Sequence, residues 1–244
     1  MPQHELDNAL GQLVSAELIF RRGTPPDAEY TFKHALVQDA AYGTLLRSRR
    51  QQVHARIAAT LESQFPEVVA AQPQVMARHC AEAGLNEKAV SYRLKAGQQA
   101  VARSAMTEAV AQLQNGLDLL ANLPENPWRA QQELDLLIAR GRALMATRGH
   151  AAPAVAETIV RARALAEQLD RRDYLVPLLY FQRVFHTARA EHKLALSLAE
   201  QMEKLGEAQN DEATLLLGRS LHGHSCWYLG EFLGPAPCSS NVMA

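Results

Sequence analysis

Three metal-competent side chains occur close together near the end of the sequence. His222, His224 and Cys226 are spaced at i, i+2 and i+4, and imidazole and thiolate are common zinc ligands. On a helix, His222 and Cys226 share one face whereas His224 points away. Because a zinc site needs further ligands in a suitable geometry, we expect a partly buried repeat helix here and no bound metal.

The spacing of serine, carboxylate and glycine residues gives no stronger indication of catalysis. The run from Gly218 to His222, G-R-S-L-H, approaches a nucleophile elbow but lacks the second glycine in the required place and has no preceding strand. His34 and Asp39 are five residues apart, which does not put an acid–base pair on one helix face. The phosphate-binding pattern G-x-x-x-x-G-K-[ST] occurs nowhere. We therefore expect a chain that is not an enzyme and takes no cofactor.

The stretch from Tyr30 to Glu62 predicts a short strand followed by two helices. Residues 30–32 alternate apolar and polar side chains and are β-prone. Residues 34–46 then switch to helical spacing with one broad apolar face, made of Leu36, Val37, Ala40, Ala41 and Leu45. A second helix comes next, with Ser48 placed to cap it and with an apolar stripe of Val53, Ile57, Ala58 and Leu61.

Residues 1–65 are predicted to form the end of a winged helix. A leucine stripe indicates a helix at about 4–16, Leu18 to Arg21 reads as a strand, and Gly23 to Asp27 is rich in turn residues. The sequence begins too late to supply the first helices of such a domain, so we expect Met1 to lie inside one. Because winged helices can bind DNA, a DNA-binding regulator is an alternative, but its basic residues form only two short clusters, Arg21 with Arg22, and Arg47 with Arg49 and Arg50.

A resemblance to a known family rests on two runs in this region. F-K-H-A-L-V-Q-D-A-A-Y, starting at Phe32, and L-L-R-S-R-R-Q-Q-V-H-A-R-I-A, ending at Ala58, resemble a family of large bacterial signalling proteins. In these, a class III adenylate/guanylate cyclase domain precedes a STAND-type AAA ATPase domain, and a winged-helix segment and tetratricopeptide-like repeats come after it. The resemblance covers roughly Leu6 to Phe232. It carries over no catalytic or nucleotide-binding residue, because no such motif of the family has a matching position here.

The remainder of the sequence predicts stacked helices. Residues 66–124 are interpreted as a helical connector and residues 125–233 as tetratricopeptide-like hairpins. The hairpins are expected to pair 128–147 with 154–169 and 172–188 with 191–205, and to begin a third pair at 211–229. A-L-A-E-Q-L at 164–169 recurs as S-L-A-E-Q-M at 197–202, an offset of 33 that is close to the ~34-residue tetratricopeptide period, although the first helices start about 40 residues apart.

The predicted fold is therefore mostly α, a partial winged helix with a small β-hairpin followed by a tetratricopeptide-like superhelix. Trp128, Trp227 and Tyr228 are expected to pack in the core or between repeats. Residues 234–244 contain two prolines and no helical period, and are predicted to be disordered. One hypothesis is that this tail is frameshifted, which the DNA sequence would decide. We also expect self-association through apolar surface exposed at the ends of the array.

Composition excludes several classes of function. The 244 residues are 48% hydrophobic and 21% charged, and the net charge of −1 provides no field that would attract nucleic acid or an anionic membrane. No apolar run approaches the ~20 residues that span a bilayer, and the N-terminus lacks the layout of a signal peptide. Cys80, Cys226 and Cys238 are widely spaced and odd in number, which favours reduced thiols and a cytoplasmic location.

The leading interpretation is a non-catalytic protein-interaction and regulatory region. Its groove is expected to bind a protein segment, or to pack against the ATPase or cyclase domains that the resemblance implies. Contacts with such a domain are assigned to six residues of the motif, namely His34, Gln38, Asp39, Tyr42, Arg49 and Arg50. The alternative from another class is an enzyme of the cyclase type.

Overall fold

The computed structural model describes residues 3–25 and 28–231, and it is mostly α with a small β-hairpin, as the sequence predicts. The N-terminal elements are α1 (Gln3–Ser15), β1 (Ile19–Arg22), β2 (Glu29–Phe32), α2 (Ala35–Thr44), α3 (Arg47–Gln64), α4 (Pro66–Ala71) and α5 (Pro73–Glu82). The remaining elements are α6 (Asn86–Ala102), α7 (Met106–Ala121), α8 (Pro127–Arg148), α9 (Pro153–Gln168), α10 (Arg172–Ala188), α11 (His192–Gln209) and α12 (Glu212–Leu229). The predicted tail at 234–244, with Cys238, lies outside the described residues.

The two strands form an antiparallel hairpin whose register pairs Ile19 with Phe32 and Arg22 with Glu29. Ile19 is buried, whereas the outward Phe20 is 57% exposed. The predicted order of helix, strand, turn and strand is confirmed, although the Pro26–Asp27 part of the turn is outside the described residues. The hairpin packs only lightly on α2, because that helix has no buried residue.

The predicted apolar face of α2 is not covered. Leu36 is 82% exposed, and Leu46, at the start of α3, is 77% exposed. Ser48 does not cap α3 either, because the helix begins one residue earlier and its N-cap position is Leu46, whose side chain makes no capping bond. The motif is thus an open part of the molecule rather than a compact unit.

From α3 to α12 the core is a chain of small clusters, each shared between neighbouring helices. Ala58, Met76, Cys80 and Ala89 join α3, α5 and α6. Val90, Leu113, Leu120 and Leu136 join α6, α7 and α8. Leu134, Leu144, Ile159, Leu165 and Leu178 join α8, α9 and α10. Leu179, Leu198 and Met202 continue the core to α11, with Leu221 of α12 against it. Because every helix buries its stripe only against its neighbours, the architecture is that of a stacked repeat array.

Most turns between the helices share one backbone capping geometry. A residue in the left-handed region ends the helix, and the next N–H bonds to the carbonyl five residues earlier, as Glu191 N does to His186 O at 2.9 Å. The left-handed residues are Gly84, Ser104, Asp170, Ala190, Asn210 and Gly230. They fall at a spacing of 20, from 84 to 104 and from 170 through 190 and 210 to 230, so two helices occupy 40 residues.

The 33-residue recurrence in the sequence is therefore not the spacing of the helices. The run 164–169 lies at the end of α9, whereas 197–202 lies in the middle of α11. The second run lies about two helical turns further from the C-terminus of its helix than the first run does. Matching side chains therefore lie at different positions along the two helices. The array has helix pairs longer than the ~34 residues of a tetratricopeptide hairpin.

Two glycines bring α11 and α12 into backbone contact. A Cβ built on Gly206 would lie 2.5 Å from the Leu215 N, and one on Gly218 would lie 2.7 Å from the Glu203 N. Gly218 therefore has a packing role, and the Ser220 two positions later lies exposed on a helix rather than at a nucleophile elbow.

The close approach predicts opposite effects for two glycine substitutions on α12. Gly218→Ala should lower the free energy of unfolding by about 1–3 kcal/mol, because the methyl group meets backbone that cannot move aside. The matched control is Gly223→Ala, where no atom lies within 4 Å of the new Cβ, and it should raise stability by about 1 kcal/mol through helix propensity. Urea denaturation measures both, and equal effects would contradict the close packing.

The turn at Ala190 predicts a stabilising substitution. Its φ of 59° is strained for a residue with a Cβ, so Ala190→Gly should raise the free energy of unfolding by about 0.5–1 kcal/mol. Ala59→Gly, at an exposed position inside α3, is the control and should lower it by about 1 kcal/mol. A loss of stability in both variants would show that Ala190 does not hold the left-handed conformation.

Candidate functional site

Tyr42 attaches the exposed helix α2 to the helical array. Its hydroxyl donates to Glu82 Oε2 of α5 at 3.1 Å and lies 3.1 Å from His54 Nε2 of α3. The guanidinium of Arg50 lies 5.0 Å from the centroid of the Tyr42 ring, within cation–π range. One tyrosine thus connects α2, which has no buried residue, to α3 and α5.

A pair of histidines extends this connection. His54, which is 7% exposed, has its Nδ1 2.9 Å from His79 Nδ1. Because the Tyr42 proton goes to Glu82, His54 must donate from Nε2 to the Tyr42 oxygen. At the contact between the two histidines, one Nδ1 donates to the other, so the contact holds a single proton. We call Tyr42, His54, His79 and Glu82 the Tyr42 relay.

Burial shifts the pKa values within the relay. Desolvation, with smaller contributions from His54 and Arg78, lowers the pKa of His79 below its ordinary value. Desolvation and the hydrogen bond to Glu82 raise the pKa of Tyr42. Both shifts disfavour the charged forms of His79 and Tyr42, and the other charged groups that face Tyr42 are Arg50 and Arg78.

The structure brings together only two of the six residues assigned to interdomain contacts, namely Tyr42 and Arg50. His34 is the N-cap residue of α2 and makes no side-chain capping bond. Gln38 and Asp39 are exposed, and Arg49 is exposed with only a 3.5 Å bond to Gln52.

The sequence does not reveal the other members of the relay. His54 and His79 are separated by 25 positions, and Tyr42 and Glu82 by 40. No helix or strand periodicity relates residues at these separations. The one member of the relay that the sequence analysis singled out is Tyr42, at the end of the first family-like run.

Two open cavities lie side by side along the even-numbered helices α4, α6, α8 and α10. The first, of about 520 Å³, lies between α4, α5 and α6, and the second, of about 310 Å³, lies between α6, α8 and α10. Gln98 and Ala102 line both, so the two cavities adjoin at α6. We call this surface the even-helix groove, lined among others by Tyr92, Lys95, Gln98, Ala102, Arg142 and Tyr174.

The groove combines aromatic rings with cationic groups. Lys95 Nζ lies 5.1 Å from the Tyr92 ring centroid, and Arg171 lies 4.4 Å from that of Tyr174. Tyr174 Oη donates to Asp135 Oδ1 at 3.3 Å, which holds the ring against α8. The hydrogen bond that Tyr92 donates to Glu62 adds to burial in raising the pKa of Tyr92 to about 12. Such a surface can take up an extended chain by stacking and hydrogen bonding.

The predicted metal-competent residues have separate environments. His222 Nδ1 lies 2.8 Å from Glu203 Oε1 on α11, and His224 stacks on Trp227. Cys226 is 5% exposed, and burial raises the pKa of its thiol. Over residues 3–25 and 28–231, no three His, Cys, Asp or Glu side chains are grouped so as to hold a metal ion.

Of the aromatic residues expected to pack in the core or between repeats, Trp128 packs in the core, Tyr228 stacks on His192 of α11 and Trp227 is exposed. Trp128 packs against the cluster shared by α6, α7 and α8. Trp227 is 60% exposed and Tyr228 is 44% exposed, because no further helix in the described chain covers α12. Among the described helices, none is both long enough and apolar enough to cross a membrane.

Comparison with known proteins gives one relative and no family. No family model matches the chain. It is 31% identical over 169 residues to an uncharacterized protein of Rhizobium meliloti (strain 1021), R02095. The aligned part is 67% of this chain and 16% of that protein, so the chain spans a small part of the length of this relative.

The Tyr42 relay predicts that stability falls in acid. Because the pKa of His79 is lower in the folded chain, the unfolded chain binds more protons as pH falls below about 6.5. The contribution of the buried His79 to the free energy of unfolding is complete above that pH and is lost as the pH falls below it. His79→Asn keeps a donor near the Nδ1 position but cannot titrate, and should flatten the decrease in unfolding free energy between about pH 7.5 and 5.

The control for this experiment is His150→Asn, which changes an exposed histidine in the turn after α8. It should leave the pH dependence of the unfolding free energy as it is in the wild type. The same pH profile in wild type and His79→Asn would mean that the histidine pair is not buried as described.

Proposed function

We propose that this chain is a non-catalytic protein-interaction and regulatory region that binds an extended protein segment in the even-helix groove. The observation that carries the proposal is that two open cavities adjoin on the side of α4, α6, α8 and α10, with Gln98 and Ala102 lining both. A stacked array presents such a surface without needing any residue to do chemistry. The mixture of tyrosine, amide and cationic side chains suits recognition of a peptide.

We further propose that this chain is part of a larger signalling protein of the type with class III cyclase and STAND ATPase domains. Support for the type of protein comes from the two family-like runs between Phe32 and Ala58 alone. That the matched part is 16% of the relative's length supports only a larger protein. In this proposal Tyr42 and Arg50 hold α2 on the array. His34, Gln38, Asp39 and Arg49 remain exposed and contact the neighbouring domain.

The experiment uses tiled peptides that cover the whole Rhizobium meliloti relative, measured for binding to the full chain by fluorescence polarisation. We expect at least one tile from outside the aligned 169 residues to bind. Ala102→Phe, which fills the centre of the groove, should weaken that tile at least tenfold. Ala111→Phe is the matched control, because Ala111 is an exposed alanine on α7 away from the groove, and it should bind as the wild type does.

Two results would contradict the proposal. One is that no tile binds, or that Ala102→Phe and Ala111→Phe have the same affinity. The other is formation of cyclic nucleotide by the purified chain with ATP or GTP and Mg²⁺, well above the background of heat-denatured protein, which would make it an enzyme.

A further inference from the structure

Two cations line the even-helix groove without an ionic partner. Lys95 of α6 borders the first cavity and Arg142 of α8 borders the second, and both side chains are exposed. Within residues 3–25 and 28–231, neither side chain forms an ion pair or a hydrogen bond. Lys95 lies over the Tyr92 ring, which holds the ammonium at the cavity wall without neutralising its charge. Two positive charges therefore border the groove with no carboxylate bonded to either.

The carboxylates around the groove are bonded to other side chains. Glu62, which interacts electrostatically with Lys95, accepts a hydrogen bond from Lys88 Nζ at 2.7 Å. Asp135 is the one acidic side chain among the described residues that line the two cavities, and it accepts a hydrogen bond from Tyr174 Oη at 3.3 Å. The lining of the groove thus has two cations against one carboxylate, and its net charge is positive.

Apolar side chains line the same two cavities. Val69 and Ala70 border the first cavity, and Ile138 and Ala139 border the second. Gln99 Nε2 donates to the Ala70 carbonyl at 2.7 Å, which holds the apolar wall of α4 against α6. Because the chain as a whole has a net charge of −1 and so no broad positive field for nucleic acid, the mixed lining favours a protein segment with both acidic and apolar side chains.

We propose that the segment bound in the even-helix groove is acidic, with one Asp or Glu paired with Lys95, another paired with Arg142, and an apolar residue against α4. Charge complementarity identifies this occupant, because a guanidinium can hold a carboxylate through two parallel N–H groups. The inference rests on the proposed function, since it specifies the chemistry of the segment that the groove binds. It also gives the groove a basis for selection, because a basic segment would place like charges together.

The test selects from a displayed library of random peptides of about 12 residues, which span about 40 Å when extended. Peptides selected on the full chain are kept when Ala102→Phe weakens their binding, because that substitution fills the groove. The kept peptides should carry Asp or Glu at two positions more often than the starting library does. Changing both carboxylates to amides should weaken binding about tenfold. NaCl at about 1 M, where the Debye length is about 3 Å, should weaken it to a similar extent.

Substitutions of the two cations test where the carboxylates bind. Lys95→Met and Arg142→Met should each weaken the kept peptides about three- to fivefold, as expected for an exposed ion pair, and together about tenfold. The matched controls are Lys193→Met on α11 and Arg219→Met on α12, which remove exposed cations from helices that do not line the groove and should leave the affinity unchanged. All four positions are exposed on helices, so each variant should fold.

The results distinguish this inference from the proposed function. If no selected peptide is weakened by Ala102→Phe, both are wrong. If the kept peptides lack acidic positions, or bind equally to the wild type and to the variant that combines Lys95→Met with Arg142→Met, the inference alone is wrong. It is also wrong if a single-stranded RNA of about 12 nucleotides binds more tightly than any kept peptide and loses affinity in that double variant, because the occupant would then be a nucleic acid.

Discussion

The structure depends on the inability of any one helix to bury its own apolar stripe. From α3 to α12, each helix contributes a few aliphatic residues to clusters that belong to its neighbours as well. Each helix is then stabilised by its neighbours, and the helix faces at the two ends of a stack remain exposed unless another protein segment covers them. The exposed leucine of α2 and the exposed tryptophan of α12 are consequences of this single constraint.

The same constraint explains the regularity of the turns. A helix that must pack against both neighbours needs a fixed length and a sharp reversal, which the left-handed residue and the backward hydrogen bond provide at intervals of 20 residues. Where the backbones approach most closely, Gly206 and Gly218 remove the side chains that would separate α11 from α12. Gly218, which begins the run that approaches a nucleophile elbow, therefore serves helix packing.

At the N-terminal end, a polar connection takes the place of an apolar core. The Tyr42 relay joins α2 to α3 and α5 through hydrogen bonds rather than through buried area. Such a connection is sensitive to protonation, and its energy is small compared with that of the stacked helices. This connection therefore holds α2 by a few polar contacts, whereas the stacked helices are held by buried aliphatic clusters.

Much of the fold could be predicted from the sequence, because local periodicity determined it. The hairpin and most helix boundaries could be read from alternation, apolar stripes and turn residues. The spacing of 20 could not be found in this way, because Ser104 and Ala190 occupy left-handed positions where a glycine would have been recognised. The Tyr42 relay joins residues 12 to 40 positions apart in sequence, and only folding brings them together. The exposure of Trp227 was predicted wrongly because an aromatic residue at helical spacing usually faces a core.

The central claim is that a protein segment occupies the groove of the even-numbered helices. The most direct measurement is photo-crosslinking in cells from a benzoylphenylalanine placed at Gln98, in the groove, compared with one at the exposed Ser197 of α11. The account predicts that Gln98 crosslinks to one defined peptide segment, identified by mass spectrometry, and that Ser197 does not. Crosslinks from Ser197 with none from Gln98 would contradict it.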